Sequence, residues 1–395
     1  MPGNRNARRE FLRFLAGSPL FGAMASGQDQ SLASAAEAIN VMDFEAVARR
    51  LLPPAHWGYL ATGVDDDLTL QANMAAFRHI GLVPRRLVDV SKANLKTQIF
   101  GETWDSPLFL CPVGAQKAFH PEGEAAVARA VKLKGATQIL STVTSVSVEN
   151  VAKSLGRAPW MQLYIPSEWD KTERLVRRAE ATGCPVLVWT IDLFGGRNTE
   201  TLARMMRRDT RQCNSCHPSG GPALVVAGLP PARETPMLDG IGSSINPPFA
   251  DWSWVERLKK MTKMKLVLKG IDNAADARLV REHGADGILV SNHGGRATET
   301  LRATIDCLPE VVSEAGSLPV FVDGGFRRGT DIYKALALGA KAVGVGRPYI
   351  WGLSAFGQAG VERVIDILRA ELLLAMRECG TPTVAEIGRG AVRAI

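Results

Sequence analysis

Aromatic residues are scarce in this chain, at 6%, and tyrosine is scarcer still, with four among 395 residues. No run of 18 apolar residues occurs, so no stretch reads as a helix that crosses a membrane. No Gly-x-Gly-x-x-Gly turn joins a strand to a helix, which argues against a dinucleotide site. Charge is not lopsided: 47 Lys and Arg against 40 Asp and Glu leave +7. The excess is scattered over pairs such as Arg49-Arg50, Arg85-Arg86, Arg177-Arg178 and Arg207-Arg208, a solvated surface rather than a nucleic-acid face. What is present is ordinary for a globular domain, with 46% hydrophobic and 22% charged residues. The length suits one large α/β barrel as well as two smaller domains.

From residue 106 short apolar runs alternate with amphipathic stretches. The expected strands are Pro107–Cys111, Gln138–Ser141, Trp160–Tyr164, Val186–Thr190, Lys265–Lys269, Gly287–Ser291, Pro319–Asp323 and Ala342–Gly346. Helical spacing separates them, over 122–134, 148–155, 169–182, 252–262, 274–283, 301–315, 330–338 and 361–379. Eight strand-then-helix units predict a closed (β/α)8 TIM barrel. It carries an N-terminal helical extension over 41–80, broken at Pro53-Pro54, and a long loop, 193–250, after strand 4.

In such a barrel the C-terminal strand ends face one another and build the site. Here they carry Cys111-Pro112-Val113-Gly114, Ser141-Thr142, Gln162, Tyr164, Thr190, Asp192, Lys269, Ser291-Asn-His293-Gly-Gly-Arg296, Asp323-Gly324-Gly325 with Arg327, and Gly346-Arg347. The loops after strands 7 and 8 are the usual phosphate site of barrels, and Gly324-Gly325 and Gly346-Arg347 offer backbone N–H groups and a guanidinium there. A flat, polar-edged cofactor with a phosphate fits this mixture, a phosphorylated flavin better than a dinucleotide. His56, His79, His120 and His283 read as structural, and Cys111, Cys184, Cys307 and Cys379 as buried and inert.

Gln162-Leu-Tyr164, Thr190-Ile-Asp192, Leu268-Lys-Gly270, Ser291–Arg296, Asp323–Gly329 and Gly346-Arg-Pro348, in that order over about 41–388, resemble the FMN-dependent 2-hydroxy-acid dehydrogenases and oxidases. The family includes glycolate oxidase, lactate oxidase, mandelate dehydrogenase and the flavin domain of flavocytochrome b2. The resemblance implies FMN as cofactor and oxidation of an L-2-hydroxy acid to the 2-oxo acid. It implies His293 as the base, Asp192 as the carboxylate that orients it and Lys269 as the cation beside the flavin. A neighbouring carboxylate is expected to raise the histidine pKa and fix its tautomer. Tyr59, Tyr164 and Arg296 resemble substrate-binding groups. Val113, Gly114, Thr142, Gln162 and Thr190 resemble flavin-ring contacts. Ser291, Asp323, Gly324, Gly325, Arg327, Gly346 and Arg347 resemble ribityl, ring and phosphate contacts. No metal ligand set is expected. The resemblance also implies a homotetramer.

Two departures bear on the substrate. The family's second arginine after the Thr-x-Asp motif, which clamps the substrate carboxylate, aligns with Asn198, leaving Arg197 or Arg204 to swing in. After Arg296 the usual Gln-Leu-Asp is Ala297-Thr298-Glu299. Residues 1–35, with Arg8-Arg9, Phe11-Leu12 and Ala33-Ser34-Ala35, read as a twin-arginine export signal, leaving 36–395 as the barrel. Export implies a periplasmic enzyme with a quinone or cytochrome as acceptor; a cytoplasmic protein with a basic tail is the alternative. Cys213-Asn-Ser-Cys216-His217 matches covalent haem c attachment, with Met237 a conceivable axial ligand, or else a disulfide, plain thiols or a metal clip. Three other functions compete: a non-redox FMN isomerase, an FMN-binding protein without turnover, and a phosphate-binding barrel without flavin.

Overall fold

Runs such as Val186-Leu-Val-Trp-Thr190 are buried at every position, as strands covered on both faces must be. In the computed structural model, which describes residues 32–211, 235–242 and 245–395, eight of them close into a parallel barrel. They are β1 Leu108–Leu110, β2 Thr137–Leu140, β3 Trp160–Leu163, β4 Val186–Thr190, β5 Lys265–Ile271, β6 Gly287–Val290, β7 Val320–Asp323 and β8 Ala342–Val345. Each strand pairs with its neighbours in sequence, and β8 returns to β1 through Val343 opposite Leu108. This is the expected TIM barrel. Residues 34–395 form one compact unit. The twin-arginine motif and Cys213, Cys216 and His217 lie outside the described residues.

The helices are α1 Asp43–Leu51, α2 Pro54–Ala61, α3 Leu68–Ala75, α4 Gly123–Leu133, α5 Val148–Leu155, α6 Trp169–Ala181, α7 Glu200–Arg208, α8 Ser253–Met261, α9 Ala274–Glu282, α10 Thr304–Ala315, α11 Gly329–Ala337 and α12 Arg347–Glu378. Local chemistry sets their ends. Pro54 opens α2, the Ser147 hydroxyl caps α5 by accepting the Asn150 N–H, and Asn273 caps α9 in the same way.

Two readings need correction. The stretch 193–250, expected as loop, contains α7, which packs on α2 so closely that a Cβ on Gly58 would lie 2.6 Å from Met205 Cβ. The last helix begins at Arg347, not Val361, and breaks where Phe356 (φ −143°) and Gly357 (φ 58°) leave helical geometry. The break doubles the chain back until a Cβ on Gly360 would lie 1.9 Å from the Gly352 carbonyl, a crossing that only glycine permits.

The N-terminal end of the barrel is plugged. A hairpin of Thr97–Ile99 and Glu102–Trp104 drives Ile99 and Trp104 against Trp160, Phe109 and Phe321. Trp104 and Trp160 rings lie 5.3 Å apart, and Phe100 meets the Phe321 ring at 5.9 Å. The aromatic floor leaves the opposite mouth as the open end. Trp104→Ala should cost about 3–5 kcal/mol of stability, read from urea unfolding. A loss under about 1 kcal/mol would show that the hairpin does not seal the core.

Candidate active site

Beyond β6 the chain takes three consecutive left-handed residues, His293 (φ 59°), Gly294 (φ 68°) and Gly295 (φ 76°). A histidine in that region is strained, and it is held there by its own N–H donating to the Ser291 hydroxyl at 3.1 Å. Gly295 is required for space as well, since a Cβ would lie 2.5 Å from the Leu70 backbone. The turn brings the imidazole over the barrel mouth.

There His293 Nδ1 lies 2.9 Å from Asp192 Oδ1, and Nε2 lies 3.4 Å from the Tyr164 hydroxyl. The bulge in β5 between Lys269 and Ile271 brings Gly270 (φ 112°) against Asp192, where a Cβ would sit 2.8 Å from Asp192 Cβ. Lys269 is thereby delivered between two carboxylates, 3.9 Å from Asp192 Oδ2 and 3.7 Å from Asp323 Oδ2, and donates to Ser291 Oγ at 2.8 Å. Ser291 passes its own proton to Asp323 Oδ1 at 2.6 Å.

Electrostatics sort these groups. Burial pulls the Lys269 ammonium down, but Asp323 and Asp192 more than restore it, so its pKa is raised. Burial raises the Asp192 carboxyl, and His293 and Lys269 reverse this to leave it lowered. His293 differs from expectation: burial, joined by Lys269, outweighs the upward pull of Asp192 and takes its pKa down to about 4. The imidazole is therefore neutral at physiological pH, its Nδ1–H assigned to Asp192 and its Nε2 turned to the Tyr164 hydroxyl.

The cleft opens to solvent and is lined by Tyr59, Val113, Lys269, His293, Arg296, Asp323, Gly324, Gly325, Arg327, Gly346 and Arg347 among others. Three guanidiniums share it, that of Arg296 buried and those of Arg327 and Arg347 half-buried. Arg347 reaches the Leu60, Thr62 and Gly294 carbonyls at 2.6, 2.9 and 3.0 Å. Arg327 lies over the Trp351 ring at 4.8 Å. Arg296 lies over the Tyr59 ring at 4.3 Å and donates to the Tyr59 carbonyl, while its Nη2 is buried with no hydrogen-bond partner. Burial lowers all three, Arg347 to about 9, helped by Arg296 and Arg327, and the other two to about 10. Such a cluster calls for anions.

Ser291, Thr142, Gln162 and Thr190 form the layer beneath. Gln162 Oε1 accepts from Thr142 N–H and Ser141 Oγ, whereas Gln162 Nε2 and Thr190 Oγ1 are buried without partners. Gly114 approaches Val143 so closely that a Cβ would lie 2.4 Å from its Cγ2. Unpaired amide and hydroxyl groups at the barrel centre, with glycine backbone and arginines to one side, fit a flavin ring and its phosphate.

Asn198 turns away from the cleft and donates to Asp65 Oδ1 at 2.9 Å. Arg204 pairs with Glu200 at the surface. Arg197 Nη1 lies 3.5 Å from the Arg296 carbonyl. Glu299 accepts the Leu68 and Thr69 N–H groups at the start of α3. Met237 is fully buried, and Cys111, Cys184, Cys307 and Cys379 are buried free thiols. Sequence reasoning missed Asn73, whose amide exchanges hydrogen bonds with Asn292 at 2.9 and 3.0 Å and fixes the histidine turn from α3. Nothing in a helical Asn marks such a partner across 219 positions.

A barrel mouth with a buried lysine, a His–Asp pair and arginines at the ends of β7 and β8 defines a class: flavin-dependent (β/α)8 oxidoreductases. The family model for FMN-dependent dehydrogenases matches residues 48–394. A peroxisomal (S)-2-hydroxy-acid oxidase of Oryza sativa subsp. japonica, GLO4, is 40% identical over 359 residues, 90% of this chain and 95% of that protein. A 2-hydroxyacid oxidase of Dictyostelium discoideum is 38% identical, with 90% of each chain covered. Among solved structures, mandelate oxidase with (S)-2-phenylpropionate matches at TM-score 0.78 and 35% identity, covering 91% of this chain and 98% of that one. A mutant flavocytochrome b2 with pyruvate bound matches at TM-score 0.80 and 31% identity, covering 98% and 90%. The chain belongs to the FMN-dependent dehydrogenase family, and FMN is its cofactor.

The histidine environment has a consequence for acid stability. The unfolded histidine takes up a proton near its ordinary value of 6.5, whereas the folded one waits until about 4. Stability therefore falls as pH drops through that window. His293→Gln should flatten part of this fall, measured by urea unfolding between pH 6.5 and 4. Equal pH dependence in the two proteins would contradict the assignment.

Proposed function

We propose that the chain oxidises a 2-hydroxy acid to the 2-oxo acid, with His293 as the base. The observation that carries this is the His293 imidazole, held by Asp192 at 2.9 Å and lining the same cleft as Arg296 with its unpaired Nη2. FMN, once bound, supplies the two-electron acceptor. Val113, Gly114, Thr142, Gln162 and Thr190 would hold its ring, and Ser291, Asp323, Gly324, Gly325, Arg327, Gly346 and Arg347 its ribityl chain and phosphate. Lys269 places a fixed positive charge beside it.

The chain's own part is binding and proton handling. Arg296 takes the substrate carboxylate with the N–H groups its backbone bonds leave over, and Arg197 adds a second positive charge from the loop after β4. The Tyr59 and Tyr164 hydroxyls hold the polar end of the substrate against Arg296 and His293. His293 Nε2 takes one proton as the C–H and O–H bonds give way to C=O, Asp192 stabilises the imidazolium that results, and the other hydrogen with the electron pair would go to the FMN. Arg8-Arg9 followed by Phe11-Leu12 supports reading residues 1–35 as a twin-arginine leader, and with it an exported, periplasmic enzyme with a quinone or cytochrome as acceptor. The family resemblance supports a homotetramer.

His293→Ala should keep FMN and lose about 10²–10⁴-fold in kcat on the substrate acid, and Asp192→Asn should lose a similar factor. Near-normal turnover in His293→Ala would remove the base assignment. Arg197→Ala should raise KM several-fold with kcat nearly kept; an unchanged KM would take Arg197 out of the substrate site.

A further inference from the structure

Behind the cleft, on the side of β1 and β2, a carboxylate that the reaction does not use is wholly enclosed. Glu124, in the first turn of α4, has no exposed surface. Its Oε1 accepts the Gln116 N–H at 3.1 Å and the Ser145 N–H at 2.9 Å, and its Oε2 accepts the Ser145 hydroxyl at 2.6 Å. Gln116 belongs to the loop after β1 and Ser145 to the loop after β2. One side chain therefore ties together two loops of the catalytic face.

Each loop leads onward to the cleft wall. The Gln116 amide donates to the Val113 carbonyl at 3.0 Å and to the Tyr349 hydroxyl at 3.1 Å, and Tyr349 donates to the Cys111 carbonyl at 2.8 Å. Ser145 Oγ also accepts the Lys117 N–H at 3.0 Å, and the Ala115 N–H reaches the Val143 carbonyl at 2.9 Å. Tyr349 stands two residues beyond Arg347 in the first turn of α12. A buried lattice centred on Glu124 thus joins three parts of the wall: Cys111–Val113, the loop after Thr142, and the start of the helix that carries Arg347. The three bonds to Glu124 itself are buried, so solvent does not readily replace them when Glu124 is lost.

We infer that Glu124 is a positioning residue for FMN: it sets the spacing between the ring-facing loops after β1 and β2 and the arginine-bearing start of α12. It touches neither cofactor nor substrate, so its effect falls on how tightly the flavin is held before any effect on proton transfer. Replacing the carboxylate by an amide keeps the volume but cannot accept from all three donors at once. A buried charge-assisted bond of this kind is worth roughly ten- to hundredfold in an equilibrium constant.

The test is the release of FMN from diluted holoenzyme, followed by flavin fluorescence, in Glu124→Gln and in Trp104→Ala. The second variant lowers stability from the floor of the barrel, away from the cleft. Glu124→Gln should release FMN at least about tenfold faster than wild type, whereas Trp104→Ala should stay within about threefold. Release unchanged in Glu124→Gln, or equally fast in both variants, would reduce Glu124 to a general structural residue and overturn the inference. If Glu124→Gln does not fold, Ser145→Ala carries the same comparison: it removes one donor to Glu124 and should speed release about threefold, with unchanged release counting against the proposal.

Discussion

Lys269 holds this site together. Its ammonium is buried between Asp192 and Asp323, and each of the three groups is tolerable inside the barrel only because the others are there. With His293 neutral the inner cluster carries one net negative charge, from two carboxylates and one ammonium. A proton arriving at His293 brings the sum to zero. Gaining a proton at His293 would relieve that imbalance, although burial and the neighbouring Lys269 disfavour its charged form. The same lysine fixes Ser291, whose hydroxyl in turn takes the His293 N–H and holds the strained turn.

The outer part of the cleft has the opposite imbalance. Arg296 and Arg327 bear on Arg347 as like charges, and the hydrogen bonds the three guanidiniums make go to backbone carbonyls. Thr62 accepts from both Arg296 and Arg347, so the short stretch after α2 ties the two guanidiniums together. Two anions, a phosphate and a carboxylate, are what this arrangement lacks. Helix α7, which rests on α2, and Asn198, which bonds Asp65, make the loop after β4 a support for that stretch. With Asn198 bonded to Asp65, carboxylate recognition is proposed for Arg296 and Arg197 instead.

Much of this was legible in the residues. Eight apolar runs, each followed by an amphipathic helix, gave the barrel, because a parallel strand buried on both faces leaves an unbroken hydrophobic stretch. That His293, Asp192 and Lys269 meet at one barrel mouth was legible because they follow strand ends, where the fold brings residues together. What stayed hidden depends on distant partners. The Asn73–Asn292 amide pair, the Glu124 lattice and the hairpin plug at Trp104 join segments whose spacing in sequence carries no signal. The direction of the His293 shift was also misjudged, since a neighbouring carboxylate can be read from a motif and the degree of burial cannot.

The most direct test is the visible spectrum of the purified holoenzyme, followed without oxygen as 2-hydroxy acids are added one at a time. Loss of the oxidised flavin bands with one of the acids, with the matching 2-oxo acid formed in equal amount, is the expected result. Flavin bands that persist with every acid would contradict the reading of the His293–Arg296 cleft as a hydroxy-acid site, even in a protein that binds FMN as its family does.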